Sequence, residues 1–176
     1  SYWIAVNRDA ASRGGSRWVH QSLHAGDVLT VSAPRNNFSL DESAPANVFI
    51  AGGIGVTPLL CMASRLAHVH ADFEMHYCTR SMQRTAFRDS IVASGLASRV
   101  HFHFDDGDPG QLLDVDEVLG VPDDSTHLYV CGPDGFMRRV EAMFAAAGLQ
   151  EQLQSESFGR RAAAVDPEAA EHLVSL

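Results

Sequence analysis

The segment VFIAGGIGVTPLLCMASRL, residues 48–66, joins a strand pattern to a helix pattern through three glycines and thereby decides the fold class. The apolar run over residues 47–51 has the length of a buried strand, and residues 57–69 repeat apolar side chains at helical spacing. Glycines at the junction permit either a tight turn or the close approach of a flat or negatively charged ligand to the backbone. The local sequence leaves both explanations open.

The same order of strand and helix patterns recurs along the rest of the chain. Strand patterns cover residues 73–79, 99–104, 126–132 and 151–155, and helix patterns cover residues 84–94 and 134–148. Strands that alternate with helices are joined by crossover connections, which build a parallel sheet. We therefore predict an α/β fold, with a five-stranded parallel sheet that carries helices on both faces.

The first part of the chain has a different pattern. Strand-like runs at residues 2–6 and 27–34 flank a short helical stretch at residues 16–23. The segment LDESAPAN, residues 40–47, has the polar and proline residues of a linker, and the alanine-rich stretch after Phe158 is typical of a linker or tail. We predict three parts, which are residues 1–44, 45–158 and 159–176.

Composition excludes several classes of protein. The 176 residues are 45% hydrophobic and 20% charged, as in an ordinary globular protein. The formal net charge of -9 argues against a nucleic-acid partner, whose phosphates would be repelled. Three widely spaced cysteines form neither a disulfide framework nor a cysteine-rich metal site, and they favour a reducing, cytoplasmic location. The sequence has no uninterrupted apolar run of about 20 residues, so we predict no membrane span.

Glycine and proline follow two of the predicted parallel strands. The first turn contains Gly52, Gly53, Gly55 and Pro58, and Pro58 is predicted at the first helical position. The second turn, within YVCGPDGFM (residues 129–137), contains Cys131, Gly132 and Pro133. Ligands of open α/β sheets bind beyond the carboxyl ends of the strands, where helix starts attract anions. Two such turns therefore predict a ligand site, although neither matches the dinucleotide pattern G-x-G-x-x-G or the P-loop.

The two turns, about 80 residues apart, resemble the pyridine-nucleotide domain of the ferredoxin-reductase superfamily. The segments SRGGSRWVH (12–20) and SAPRNNFSL (32–40) are similar to the branch of the phthalate dioxygenase and vanillate demethylase reductases. The resemblance covers residues 1–158. It implies a partial flavin-binding antiparallel β-barrel before the nucleotide domain. It also implies electron transfer from NADH through a flavin to a [2Fe–2S] cluster and on to a Rieske-type oxygenase or demethylase component.

The resemblance assigns the nicotinamide to the two turns. The first turn is implied beneath the nicotinamide and against the flavin, with the Thr57 hydroxyl bonded to the ring system; an N-cap of the helix is its alternative role. Cys131 is implied beside the position of hydride transfer, and a buried core cysteine is the alternative. Glu156 and Phe158, after the last predicted strand, are implied at the flavin edge. The candidate catalytic residues are thus Thr57, Cys131 and Glu156.

The loop after the second strand of the nucleotide domain is implied to hold the adenosine ribose and the pyrophosphate. Its candidates are Thr79, Arg80 and Ser81. The branch favours NADH, whereas Arg80 and Arg84 could instead hold the 2′-phosphate of NADPH. A solvated helix start is the alternative role of both arginines, and we expect Phe87 in the core.

The turn SRGGS, residues 12–16, is implied to hold the flavin phosphate. Its candidates are Arg13, Gly14, Gly15 and Ser16, with further charge from Arg17. FMN is the flavin of this branch, and FAD is the alternative. Without the resemblance, SRGGS is typical of a flexible loop.

Two features of the family are missing from this sequence. The flavin-binding Arg-x-Tyr-Ser motif and the cluster pattern C-x4-C-x2-C…C do not occur. We therefore expect an incomplete piece, with a [2Fe–2S] centre only if a further C-terminal domain supplies it. His101 and His103 share one face of a strand, but a third ligand at suitable spacing is lacking, so we predict no metal site.

These observations predict the nucleotide-binding part of an NADH-dependent flavin oxidoreductase, the reductase component of an aromatic oxygenase or demethylase. Two alternatives stay open. One is a flavin reductase or other ferredoxin-reductase-like enzyme with a different acceptor. The other is a truncated nucleotide-binding module without activity.

Overall fold

Within residues 3–114, 118, 125–158 and 172–175, which the computed structural model describes, the strands form a five-stranded sheet and a separate two-stranded sheet. The strands are β1 (Val28–Val31), β2 (Ala46–Gly52), β3 (Phe73–Thr79), β4 (Val100–Phe104), β5 (Thr126–Gly132), β6 (Leu153–Ser157) and β7 (His172–Ser175). The α-helices are α1 (Gly15–Ser22), α2 (Val56–His68), α3 (Arg88–Ala93) and α4 (Asp134–Ala146). By their contacts the residues divide into two units, 38–159 and 1–37 with 160–176.

The larger unit contains the predicted parallel sheet. Its strand order is β4-β3-β2-β5-β6, and every neighbouring pair is parallel. β2 and β5 are central, with Ala51 opposite Cys131 in the register. The carboxyl ends of both strands, and the turns that follow them, therefore lie side by side at one edge of the sheet.

Helices cover both faces of this sheet, as predicted. On one face, Phe49, Tyr77 and Tyr129 pack with apolar residues of α2 and with Ile91 of α3. On the other face, Ile50, Leu128 and Val130 pack against Met137, Val140 and Phe144 of α4. Strands that are buried on both faces have nearly continuous apolar sequences, which is the pattern that predicted them.

Several boundaries differ from the sequence expectations. The helix expected over residues 84–94 is confined to α3, because Phe87 adopts a left-handed conformation (φ 61°) just before it. The strand expected at residues 151–155 lies two residues later, as β6. The expected linker at residues 40–47 packs on the sheet unit: Ala44 is buried, Leu40 contacts the core, and the Asp41 N–H donates to the Tyr129 hydroxyl (2.9 Å).

The smaller unit differs more from its prediction. The strand expected at residues 2–6 is wrong for the described residues 3–6, because no strand in the described part of the chain pairs with their backbone. Trp3 is 94% exposed. The expected tail contains β7, which pairs antiparallel with β1 from Val28 opposite Ser175 to Val31 opposite His172. That pairing gives the exposed strand β1 backbone partners. The rest of the expected tail lies outside the described residues.

The helices among the described residues are too short or too polar to cross a membrane.

Candidate functional site

The two glycine turns predicted from sequence meet at the carboxyl edge of the sheet. β2 ends at Gly52 and β5 ends at Gly132. A Cβ added to Gly132 would lie 3.1 Å from the Cα of Gly52, so the two backbones are in direct contact. The structure therefore brings both turns together at one place in the fold.

Gly55 is required by the close approach of a second backbone. Its φ is −61°, which any residue adopts. A Cβ on Gly55 would overlap the carbonyl oxygen of Cys131 and would lie 2.7 Å from the backbone nitrogen of Gly132. The start of α2 therefore rests directly on the end of β5, and only a glycine permits that contact.

Gly53 serves a different purpose from its neighbours. Its φ of 53° is left-handed, and no atom lies within 4 Å of a Cβ placed on it. The space above Gly53 is open, whereas the space above Gly52, Gly55 and Gly132 is filled by the protein. A flat or charged ligand could approach the backbone of the first turn at Gly53.

Phe136 is a residue of this edge that the sequence analysis missed. A Cβ on Gly52 or on Gly132 would lie 2.6 Å from Phe136 Cδ1. The half-buried ring of Phe136, the third residue of α4, therefore covers both glycines. Its position in GPDGFM, three residues after Pro133, is the signal that could have placed it here.

No side chain caps the start of α2. The Thr57 hydroxyl donates to the Ile54 carbonyl (3.1 Å), so the alternative role of Thr57 as N-cap is wrong. The prediction of Pro58 at the first helical position is wrong. Pro58 is the third residue of the helix, because α2 begins at Val56. Proline is still tolerated there, since the first-turn N–H groups have no partners within the helix.

Cys131 is completely buried in the core on the α2 face. Burial, and then the negative charge of Glu156, raise the pKa of its thiol to about 12, so the thiol is protonated at neutral pH. Glu156 is its register partner on β6. Phe158 follows the end of β6 and is exposed, and the Ser157 hydroxyl donates to Asp134 Oδ1 at the start of α4 (2.8 Å).

The loop after β3 is fixed by hydroxyl groups. The Ser81 carbonyl accepts from the Thr79 hydroxyl (3.2 Å) and from the Thr85 hydroxyl (2.9 Å). The two hydroxyl oxygens lie 2.7 Å apart. Thr79 and Ser81 are buried. Arg80 and Arg84 are exposed, and neither guanidinium forms an ion pair within the described part of the chain.

The predicted flavin-phosphate residues lie in the smaller unit, at the start of α1. Gly14 has a φ of 124°, and nothing lies within 4 Å of a Cβ placed on Gly14 or Gly15. The Ser12 hydroxyl accepts from the Gly14 N–H (3.1 Å), and the Ser16 hydroxyl accepts from the Asp9 N–H (3.2 Å). Arg13 is exposed, and α1 has no side-chain cap.

His101 and His103 lie beside a third histidine, His76, which is buried on β3. His76 Nδ1 is 3.0 Å from His103 Nε2, and the His76 ring stacks on the His101 ring with centroids 5.1 Å apart. Burial, and then the two neighbouring histidines, lower the pKa of His76 to about 3. Stacked rings do not aim their nitrogens at one ion, and the described residues contain no group of three side chains placed to hold a metal.

Known proteins provide an independent comparison. No protein-family model matches the chain. The chain is 49% identical over 150 residues to vanillate O-demethylase oxidoreductase of Pseudomonas putida, covering 85% of this chain and 47% of the relative. It is 43% identical over 140 residues to a phthalate 4,5-dioxygenase reductase subunit of the same species, covering 79% and 43%.

A solved structure of phthalate dioxygenase reductase superimposes on the chain with a TM-score of 0.80 and 32% identity. The match covers 97% of this chain and 56% of the other. That reductase is described as a modular structure for electron transfer from pyridine nucleotides to [2Fe-2S]. This chain thus spans about half the length of the curated relatives that it matches.

Proposed function

Because the chain belongs to the ferredoxin-reductase superfamily, in the branch of the phthalate dioxygenase and vanillate O-demethylase reductases, we propose that it is the nucleotide-binding part of an NADH-dependent flavin oxidoreductase. In this proposal, residues 45–158 bind the dinucleotide and residues 1–44 belong to a flavin-binding β-barrel. The whole protein would be the reductase component of an oxygenase or demethylase system.

The observation that carries the proposal is the edge formed by the two glycine turns. Open space above Gly53 adjoins a helix start that no side chain caps, at the carboxyl ends of two central parallel strands. The Val56 N–H already donates to the Gly53 carbonyl within the short 3-10 turn of Gly53–Gly55. The positive end of the helix dipole still favours an anionic group there. The described residues therefore fit a pyrophosphate and a flat ring.

The residues of this edge have positioning roles in the proposal. Gly53 leaves the backbone open to the nicotinamide. Cys131 is completely buried and its thiol is protonated, so it supports this edge from the core and does not act as a nucleophile. The exposed Arg80 is free to approach the ribose and the pyrophosphate of the dinucleotide. When both are bound, the nicotinamide supplies a hydride and the flavin accepts it, while the protein provides orientation and electrostatics.

We propose FMN as the flavin, held through its phosphate at the start of α1. Gly14 and Gly15 expose their backbone there, and Arg13 adds a positive charge. These features fit a phosphate group. The Ser16 hydroxyl accepts from the Asp9 N–H and still has its own proton to donate to a phosphate oxygen.

The cysteines of this chain do not fit a [2Fe–2S] cluster. Cys61 is exposed on α2, whereas Cys131 is buried in β5 and Cys78 lies within β3. No step through such a cluster follows from these residues, and its ligands would have to come from outside this chain. All three thiols are free, which supports the proposed cytoplasmic location.

Calorimetric titration of the chain with NADH, and separately with NADPH, tests the proposal. We expect saturable binding of NADH and weaker binding of NADPH. Preference for NADPH would contradict the choice of NADH, and the absence of binding by a folded chain would contradict the nucleotide site.

A matched pair of variants locates the site. Gly53→Ala and Gly148→Ala place a methyl group on glycines with similar positive φ and open surroundings, but Gly148 follows the far end of α4. Each should lose about 1 kcal/mol of stability from backbone strain. Only Gly53→Ala should weaken NADH binding, because its methyl enters the proposed ligand space. Equal affinities of the two variants would exclude this site.

A further inference from the structure

One aromatic ring packs against both glycine turns. Phe136 Cδ1 would lie 2.6 Å from a Cβ on Gly52 and 2.6 Å from a Cβ on Gly132. The two glycines end neighbouring central strands, so the ring rests on both strand ends at once. Rotation or removal of this ring would take a packing contact away from both turns at once.

The contact extends from the ring to the start of α2. Gly132 packs against the Phe136 ring. The Gly132 nitrogen and the Cys131 carbonyl also pack against Gly55. Since Gly55 is the N-cap of α2, the position of that helix start depends on the backbone that Phe136 holds. A displacement of the ring would therefore move the proposed anion site relative to Cys131.

The other aromatic residue of α4, Phe144, is more deeply buried than Phe136. Phe144 lies two helical turns further along α4 and is completely buried in the core on the same face of the sheet. Phe136 is only half-buried, at the edge of that core. If Phe136 served packing alone, its replacement would affect the protein in the same way as replacement of Phe144, and by a smaller amount.

We infer that Phe136 is a positioning residue for dinucleotide binding, which holds the two glycine turns and the start of α2 in the geometry that accepts NADH. The inference rests on the proposed function. It assigns to Phe136 no contact with the dinucleotide; the ring acts through Gly52, Gly132 and Gly55.

The test compares Phe136→Leu with Phe144→Leu in the 176-residue chain. NADH affinity is measured by calorimetric titration, and thermal unfolding is measured in parallel. Phe136→Leu should weaken NADH binding by about tenfold, because small misplacements of binding groups have effects of that order. Phe144→Leu should lower the melting temperature by at least as much and leave the NADH affinity within about twofold. Equal affinity changes in both variants, or none in Phe136→Leu, would overturn the inference.

A second measurement does not depend on nucleotide binding. Amide hydrogen exchange in the nucleotide-free chain should quicken at residues 52–57 and 131–132 in Phe136→Leu, and not in Phe144→Leu. Unchanged exchange at the turns would overturn the inference even if NADH binding weakened. If the wild-type chain bound no NADH, the proposed function would fail while the exchange data still reported whether Phe136 holds the turns. The milder variant Phe136→Met provides the same comparison if Phe136→Leu does not fold.

Discussion

Replacement of Gly55 by alanine tests the contact between the two turns most directly. The φ of −61° at Gly55 suits alanine, so backbone strain does not oppose the change. The new methyl group would overlap the carbonyl oxygen of Cys131, and its carbon would lie 2.7 Å from the Gly132 nitrogen. Both obstacles are main-chain atoms at the end of a central strand, which cannot rotate away as a side chain can.

The magnitude follows from these contacts. Overpacking of a core typically costs about 1–3 kcal/mol. Alanine at a compatible φ recovers about 0.4–1 kcal/mol through the unfolded state. Because the backbone must move, we expect the upper end of the cost, which leaves a net loss of about 2–2.6 kcal/mol. At about 2–4 °C per kcal/mol, the melting temperature should fall by roughly 4–10 °C.

Gly135→Ala is the matched control. Gly135 lies in the first turn of α4, and the nearest atom to an added Cβ is an Arg138 guanidinium nitrogen at 4.0 Å. The same substitution there should raise stability by about 0.5–1 kcal/mol, through helix propensity. Thermal unfolding followed by circular dichroism compares the two variants. A melting temperature of Gly55→Ala within about 2 °C of wild type would refute the argument that α2 rests on the end of β5.

Three further predictions concern buried polar groups. In the folded chain at pH 8, iodoacetamide should modify the exposed Cys61 well before Cys131, because the pKa of the buried Cys131 thiol is raised to about 12. Equal modification of the two cysteines, found by mass mapping, would contradict the burial of Cys131. The pKa of His76 is lowered from 6.5 to about 3, so its neutral form stabilises the folded chain fully above pH 6.5. Below that pH the free energy of unfolding should fall by up to about 1.4 kcal/mol per pH unit. Urea unfolding at pH 7 and pH 5 should show a smaller decrease for His76→Gln than for wild type, and an equal decrease would exclude His76 as the cause. Asn47 is 1% exposed, and both polar atoms of its side-chain amide lack partners in the described part of the chain. Asn47→Leu should therefore raise the free energy of unfolding by about 1–2 kcal/mol. A lower urea midpoint for this variant would show that the amide is hydrogen-bonded in solution.

The sheet could be predicted from sequence because its central strands are buried on both faces. β3 and β5 have the bounds that the pattern predicted, residues 73–79 and 126–132, since their mainly buried residues end at Thr79 and Gly132. The same rule failed at residues 3–6. An apolar run is also compatible with an extended segment, and only a neighbouring strand, which lies far away in sequence, decides between the two.

Both glycine turns were identified from sequence, whereas two side-chain contacts were missed. Gly-Pro turns after parallel strands carry a local signal, so both turns were found. Phe136 covers Gly52 through a contact between residues far apart in the chain, and His76 meets His103 across two strands. Neither contact produces a periodic pattern in the sequence. The distances that define them depend on register and helix placement, which patterns of single residues do not specify.

The three glycines of the first turn can now be separated by their physical causes. Gly52 is required by the Phe136 ring, Gly55 by the Cys131 backbone and Gly53 by its positive φ. Internal packing thus accounts for two of the three without any ligand, and a chain that had lost nucleotide binding would still need both. Gly53 alone faces open space, so the choice between a nucleotide site and a structural turn depends on that one position. An affinity for NADH that is sensitive to Gly53→Ala and insensitive to Gly148→Ala would therefore decide a question that the glycine motif, taken as a whole, leaves open.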